Sequence, residues 1–200
     1  SYSSTLCLAV SNAVAAGVVV VAAAGNSSYS YAAYPAACPG SIGVAATDSN
    51  DAAASYSNYG SPDVFLAAPG SSIYSTVAGS SYATYNGTSM AAPHVAGLVA
   101  LLQTQTPGLS VSSVKTILAT TSDKIGSGYG ADPYSTCTGC TWSSAFGYGR
   151  INVSRALGGG GTPPPPPPAA SPTVVTGAAS GIGQAQATVG GSVNPNGSAT

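Results

Sequence analysis

Four valines in a row, Val18–Val21, run straight into Ala22-Ala23-Ala24 and then Gly25-Asn26. A β-branched run with no polar residue on either alternate face fits a strand covered on both sides, as in a parallel sheet between helices. Strand is predicted over 18–23. Just before it, Leu6, Val10 and Val14 recur at four-residue spacing and predict an amphipathic helix over 5–16. The same alternation continues, with short strands predicted at 42–46, 54–57 and 64–67 and a long helix at 89–105. A further helix is predicted over 110–121. It has Val111, Val114, Ile117, Leu118 and Thr121 on one face and Ser110 as N-cap. Residues 1–157 thus read as an α/β domain on a parallel sheet.

Charge excludes several functions. Only 4% of the 200 residues are charged and the formal net charge is −1, so no basic surface for nucleic acid or anionic lipid is available. The apolar stretch 6–25 is interrupted by Ser11, Asn12 and Gly17 and draws much of its apolar content from alanine. Helix followed by core strand explains it better than a transmembrane segment. The chain starts at Ser1 with no basic leader region or cleavage site, and reads as cut from something longer. Cys7, Cys38, Cys137 and Cys140 allow three pairings if all are bridged. Cys137 with Cys140 closes a small loop and Cys7 with Cys38 ties the first helix to the loop after Asn26, while zinc needs four convergent ligands. Disulfides in an exported protein are the expectation.

The chemistry concentrates in Gly87-Thr88-Ser89-Met90-Ala91-Ala92-Pro93-His94-Val95-Ala96-Gly97. Gly87 permits a tight bend and Thr88 is the expected N-cap. Ser89 then falls at the positive end of a helix, where free N–H groups stabilise a developing anion. Asn26, at the end of the valine strand, has a side-chain amide to offer to the same anion. A simple Gly-Asn turn is the alternative for that segment. The 87–97 run resembles, almost letter for letter, the nucleophile segment of the subtilisin-like serine proteases, the subtilases. Val18–Asn26 is similar to the strand that ends in their oxyanion-hole asparagine. Tyr56-Ser57-Asn58-Tyr59-Gly60, Asp63-Val64, Ala68-Pro69-Gly70 and Gly147-Tyr148-Gly149-Arg150-Ile151-Asn152 look like further landmarks of the family.

The resemblance implies a three-layer subtilisin-like fold, incomplete at its N-terminus, in a secreted, monomeric serine endopeptidase acting on polypeptides. Ser89 would be the nucleophile, Asn26 the oxyanion donor, and Ala23, Ala24 and Gly25 the border of the specificity cleft. The family's catalytic Asp and His precede these motifs in chain order and are expected upstream of Ser1. His94, the single histidine, cannot replace the missing base. Five residues along a helix rotate a side chain by about 140°, so His94 is expected to pack or hydrogen-bond within the core. No cofactor is required. Asp63 lies where some subtilases place a calcium carboxylate, opposite carbonyls of residues 39–41, and a structural calcium there stands beside a plain hydrogen-bonding role. The segment 131–142, with two cysteines, departs from the family pattern and reads as a loop insertion. A catalytically dead relative and a secreted binding protein are the rival readings.

After Leu157 the chain changes character. Residues 158–171 form a Gly/Pro-rich linker in which Pro163–Pro168 is a stiff polyproline spacer. Residues 172–200 alternate apolar and polar residues and resemble the opening strands of a fibronectin type III-like β-sandwich. A sandwich needs about seven strands. Within this tail, Thr176-Gly177-Ala178-Ala179-Ser180-Gly181-Ile182-Gly183 resembles a dinucleotide-binding turn. It lacks the βαβ unit that gives such glycines a function, so no nucleotide cofactor is expected.

Overall fold

A computed structural model describes residues 2–60 and 63–159, together with the backbone of 173–176 and 191–194. The chain divides into two compact units, residues 1–160 and 161–200. In the first, helix α1 (Ser4–Ala15) is capped by the Ser3 hydroxyl, which accepts from the Leu6 N–H at 3.3 Å. Its buried Cys7 and Val10 face a small cluster that contains Cys38.

The valine run is a strand over only part of its length. Strand β1 is Val21–Ala23, preceded by one pairing bond from the Ile42 N–H to the Val20 carbonyl at 2.8 Å. Val18, 53% exposed, belongs to the crossing from helix to sheet. Strand β1 pairs in parallel with β2 (Ile42–Thr47), Val21 opposite Ile42, and β2 pairs in parallel with β3 (Leu66–Pro69), Val44 opposite Leu66. Every residue of β2 is buried. Its alternate side chains enter two different clusters, Val44 and Ala46 joining one with Leu66 and Ala68, Ala45 joining the other with Ala22, Ala67 and Phe146. This is the two-sided burial that a parallel sheet requires.

The free edge of β3 is taken by residues 147–151, through Ala67 N–H to the Gly149 carbonyl at 2.9 Å and Ile151 N–H to the Ala67 carbonyl at 3.0 Å. Helix α2, after the antiparallel hairpin of β4 (Ile73–Val77) and β5 (Ser81–Tyr85), spans Thr88–Gln105. It lays Ala91, Val95, Leu98, Val99 and Leu102 against one face of the sheet. Helix α3 (Val111–Thr121) starts where the sequence predicts. The Ser110 hydroxyl caps it by accepting from the Ser113 N–H at 3.1 Å.

Three local expectations are corrected. Residues 54–57 form no strand, because after a single bridge between Thr47 and Ala53 the chain turns, with the Ser57 N–H bonded to the Ala54 carbonyl at 2.8 Å. The β4–β5 hairpin lies in a stretch, 71–86, for which the sequence predicts no element. Segment 131–142 is not all loop, since both its ends are strand: β6 (Tyr129–Ala131) pairs antiparallel with β7 (Thr141–Ser143), and Cys137–Cys140 lies in the loop between them. Within that loop Asp132 accepts from the Tyr134 N–H at 2.8 Å, the Thr136 N–H at 2.9 Å and the Tyr148 hydroxyl. Finally, Thr88 is the first residue of α2 and Gly87 occupies the cap position. The second bridge, Cys7–Cys38, ties α1 to the approach to β2. A short helix α4 (Val153–Ala156) ends the first unit.

In the second unit, β8 (Thr173–Thr176) and β9 (Gly191–Asn194) are antiparallel, with Val174 opposite Val193. Residues 160–171 of the expected linker and the glycine turn at 177–183 lie outside the described residues. No helix among the described residues is long and apolar enough to cross a membrane.

Candidate active site

The parallel sheet delivers the end of β1 and the start of α2 to one place. Beyond Ala23 the chain leaves the sheet, its Ala24 N–H still bonded to the Val44 carbonyl at 2.9 Å. The loop 24–29 then passes the first turn of α2, which is anchored by the Gly87 N–H on the Gly70 carbonyl at 2.8 Å. Thr88, fully buried, joins the two. Its backbone N–H and its hydroxyl donate to Asn26 Oδ1 at 2.8 and 2.9 Å, and its Oγ1 accepts from the Gly25 N–H at 3.0 Å.

A backbone N–H can only donate, so this contact assigns the carbonyl end of the Asn26 amide to Thr88. The Nδ2 end has no acceptor among the described residues, and Asn26 is exposed. Nδ2 lies 3.3 Å from the point where a Cβ on residue 87 would sit, so Gly87 leaves room for it.

Ser89 is exposed at the second position of α2. The N–H groups of Met90 and Ala91 turn back to the Gly87 carbonyl at 2.9 and 3.3 Å, while the Ser89 N–H has no acceptor among the described residues. The first turn holds no acidic residue, so nothing neutralises the positive end of the helix. A hydroxyl, an unpaired backbone N–H and an unpaired carboxamide N–H₂ thus share one corner, the donor set that an oxyanion needs. Beside it opens a cavity of about 460 Å³, walled by Ile73, Tyr74 and Tyr85 of the hairpin and by Met90, Pro93 and His94 of α2.

The other expected residues fall into place unequally. Ala23 and Gly25 are half-buried beside this corner, but Ala24 is fully buried and presents no surface to a cleft. Its carbonyl is occupied by the Ala33 N–H at 2.7 Å and Asn58 Nδ2 at 3.1 Å. His94 is not in the core. It is exposed, with Nδ1 at 2.8 Å from the Met90 carbonyl, because it lies off the stripe that α2 buries.

Asp63 accepts from the Ala32 N–H at 3.2 Å and lines a cavity of about 270 Å³ with residues 36–41, Phe65, Lys115 and Tyr134. Calcium favours six to eight oxygens and more than one carboxylate. Asp63 is the single carboxylate of this cavity, and the Lys115 ammonium, 5.3 Å from the Phe65 ring centre, belongs to the same lining. Burial pushes the Lys115 pKa down. One carboxylate beside an ammonium suits hydrogen bonding and is a poor donor set for a divalent cation.

Residues 1–149 match the subtilase (peptidase S8) family model. The chain belongs to the subtilase family. It is 45% identical to thermitase of Thermoactinomyces vulgaris over 141 residues, which is 70% of this chain and 44% of that protein. It is 46% identical to subtilisin BL of Lederbergia lenta over 127 residues, 64% of this chain and 47% of the relative. An alkaline protease of Alkalihalobacillus alcalophilus is 45% identical over 127 residues, covering 64% of this chain and 33% of that protein. The chain thus spans less than half the length of these curated relatives.

Two residues of this subtilase site had no site role in the sequence reading. In the sequence Thr88 reads as a helix cap and Asn58 as one letter of a landmark motif. Both act on residues distant in sequence, where no local pattern reports them. The 73–85 hairpin did carry a signal in its Ile-Tyr-Ser-Thr-Val strand and the turn at Gly79.

Proposed function

We propose that the full-length protein is a secreted serine endopeptidase in which Ser89 attacks the carbonyl of a peptide bond. The observation that carries this reading is the Asn26 amide, held by its oxygen on Thr88 with its N–H₂ free beside an exposed Ser89 at an uncompensated helix N-terminus. A serine hydroxyl needs a base to take its proton. A histidine upstream of this chain, oriented by an upstream aspartate, fills that role, and the tetrahedral oxyanion is received by Asn26 Nδ2 and the Ser89 N–H. Ala23 and Gly25 border the specificity cleft.

Side chains and one backbone N–H supply this chemistry, and the reading calls for no cofactor. Two bridged cysteine pairs support an oxidising, extracellular location. The β8–β9 pair supports reading 172–200 as the opening of a fibronectin type III-like sandwich joined by the 158–171 linker.

The test is a fluorophosphonate probe applied to the full-length protein. Ser89 is expected to be labelled and Ser89→Ala to stay unlabelled, with peptide hydrolysis lost in parallel. Labelling of wild type and variant alike overturns the assignment. The 200 residues alone, lacking the base, are expected to hydrolyse no peptide.

A further inference from the structure

Asn26 is clamped from behind by a residue that makes no hydrogen bond to it. Asn58 is 2% exposed, a neutral amide inside the protein whose side-chain hydrogen bonds go to the 24–29 loop. Its Nδ2 donates to the Ala24 carbonyl at 3.1 Å. Its Oδ1 accepts from the Ser27 N–H at 2.9 Å and the Tyr29 N–H at 3.1 Å, and its own backbone N–H donates to the Gly25 carbonyl at 2.9 Å. Residues 24 and 25 before Asn26, and 27 and 29 after it, are thus pinned to one side chain and its backbone. Neighbouring bonds reinforce the grip: Ser28 N–H to the Tyr56 carbonyl at 3.0 Å and Tyr59 N–H to the Tyr29 carbonyl at 2.9 Å. The packing is close. A Cβ on Gly25 would lie 2.5 Å from Asn58 Nδ2, and Gly25 has a φ of +106° that other residues rarely adopt.

We infer that Asn58 is a positioning residue for the oxyanion donor. Thr88 orients the Asn26 amide, and Asn58 fixes the backbone that carries it. A donor helps the transition state only when it is held before the charge develops, and a loop without regular structure is held that closely only by bonds from packed neighbours. The segment 57–60 is itself tied down, since the Ser57 hydroxyl accepts from the Ala46 N–H of β2 at 3.0 Å and the Gly60 N–H donates to the Ser144 carbonyl at 2.7 Å. The clamp therefore transmits the rigidity of the sheet to the loop.

This inference rests on the proposed hydrolase reading, and the two fail differently. A double-mutant cycle on the full-length protein separates Asn58 acting through Asn26 from Asn58 as a merely stabilising residue. Asn58→Ala is expected to lower kcat about tenfold, with KM changed less than about threefold. In an Asn26→Ala background the same change should lower kcat less than about twofold, since no donor is left to misplace. If a melting curve shows Asn58→Ala unfolded, Asn58→Asp takes its place. It keeps the acceptors for Ser27 and Tyr29 and turns the donor to Ala24 into a repelling oxygen. Independent, multiplying losses in the two backgrounds, or an unchanged kcat, overturn the positioning role. A wild type that the fluorophosphonate does not label overturns the hydrolase reading instead.

Discussion

Thr88 carries more of the site than any other side chain of its size. Its hydroxyl is at once donor to Asn26 and acceptor for Gly25, so Thr88→Val, nearly the same shape, removes two hydrogen bonds and strands the Gly25 N–H. Leaving such a group unpaired costs about 1–3 kcal/mol of stability. The Asn26 amide, then held by one N–H, should also serve the oxyanion less well. Under the proposed hydrolase reading, Thr88→Val in the full-length protein is expected to reduce kcat about tenfold with little change in KM, measured by steady-state hydrolysis of a chromogenic peptide well below the melting temperature. Ser89 and Asn26 were legible in the sequence because each sits at the end of a local pattern, the start of an apolar helix and the end of an apolar strand. Thr88 and Asn58 were not, since their partners lie 62 and 34 residues away along the chain.

At the level of elements, legibility followed the range of the interactions. The Ser110 cap of α3 is a three-residue event and the sequence contains all of it. Strand β2 was found almost to the residue because its apolar run is buried on both faces. The 54–57 segment misled because Ala54, Tyr56 and Ser57 are partly or wholly buried without joining a sheet, and burial alone produces a strand-like alternation. Cysteine pairing is another property that chain order leaves open. The Cys7–Cys38 bridge closes a loop of 31 residues between α1 and the approach to β2. By the chain-entropy argument its removal costs about 3–4 kcal/mol, most of it through the unfolded state. The Cys7→Ser/Cys38→Ser pair should therefore lower the denaturant midpoint of the first unit markedly. Opening Cys137–Cys140, whose span is 3 residues, should do far less. Parallel denaturation curves of the two double variants check the ordering.

For the first unit as a whole, the scarcity of charge makes acid stability a question about a few carboxylates. The sequence has four basic and five acidic side chains, and four of these charges converge where the chain leaves the sheet. Arg150 pairs with Asp51 and, at 3.0 Å, with Asp123, while Arg155 reaches Asp123 at 2.9 Å and Asn152 Nδ2 adds bonds at 3.1 Å. Burial pushes the Asp123 carboxyl up, but hydrogen bonds from Asn152 and Arg150 and the charges of Arg155 and Arg150 outweigh it, and its pKa lies below the ordinary 3.8. Asp132 follows the same logic in the 131–142 loop, with burial overcome by the Tyr148 hydroxyl and the N–H groups of Tyr134, Thr136 and Cys137. A carboxyl whose folded pKa is depressed stabilises the fold fully above its unfolded pKa, and that contribution vanishes as pH falls through the folded value. The melting temperature is therefore expected to stay level from neutral pH down to about 5 and to fall below about 4 as both carboxylates take up protons. Asp123→Asn and Asp132→Asn should each lower the plateau and flatten the acid limb, since each removes the proton uptake that drives it. An acid limb of unchanged steepness in the double variant would assign the loss to other groups. With so few charges in the chain, the general repulsion that expands highly charged proteins in acid has little to act on.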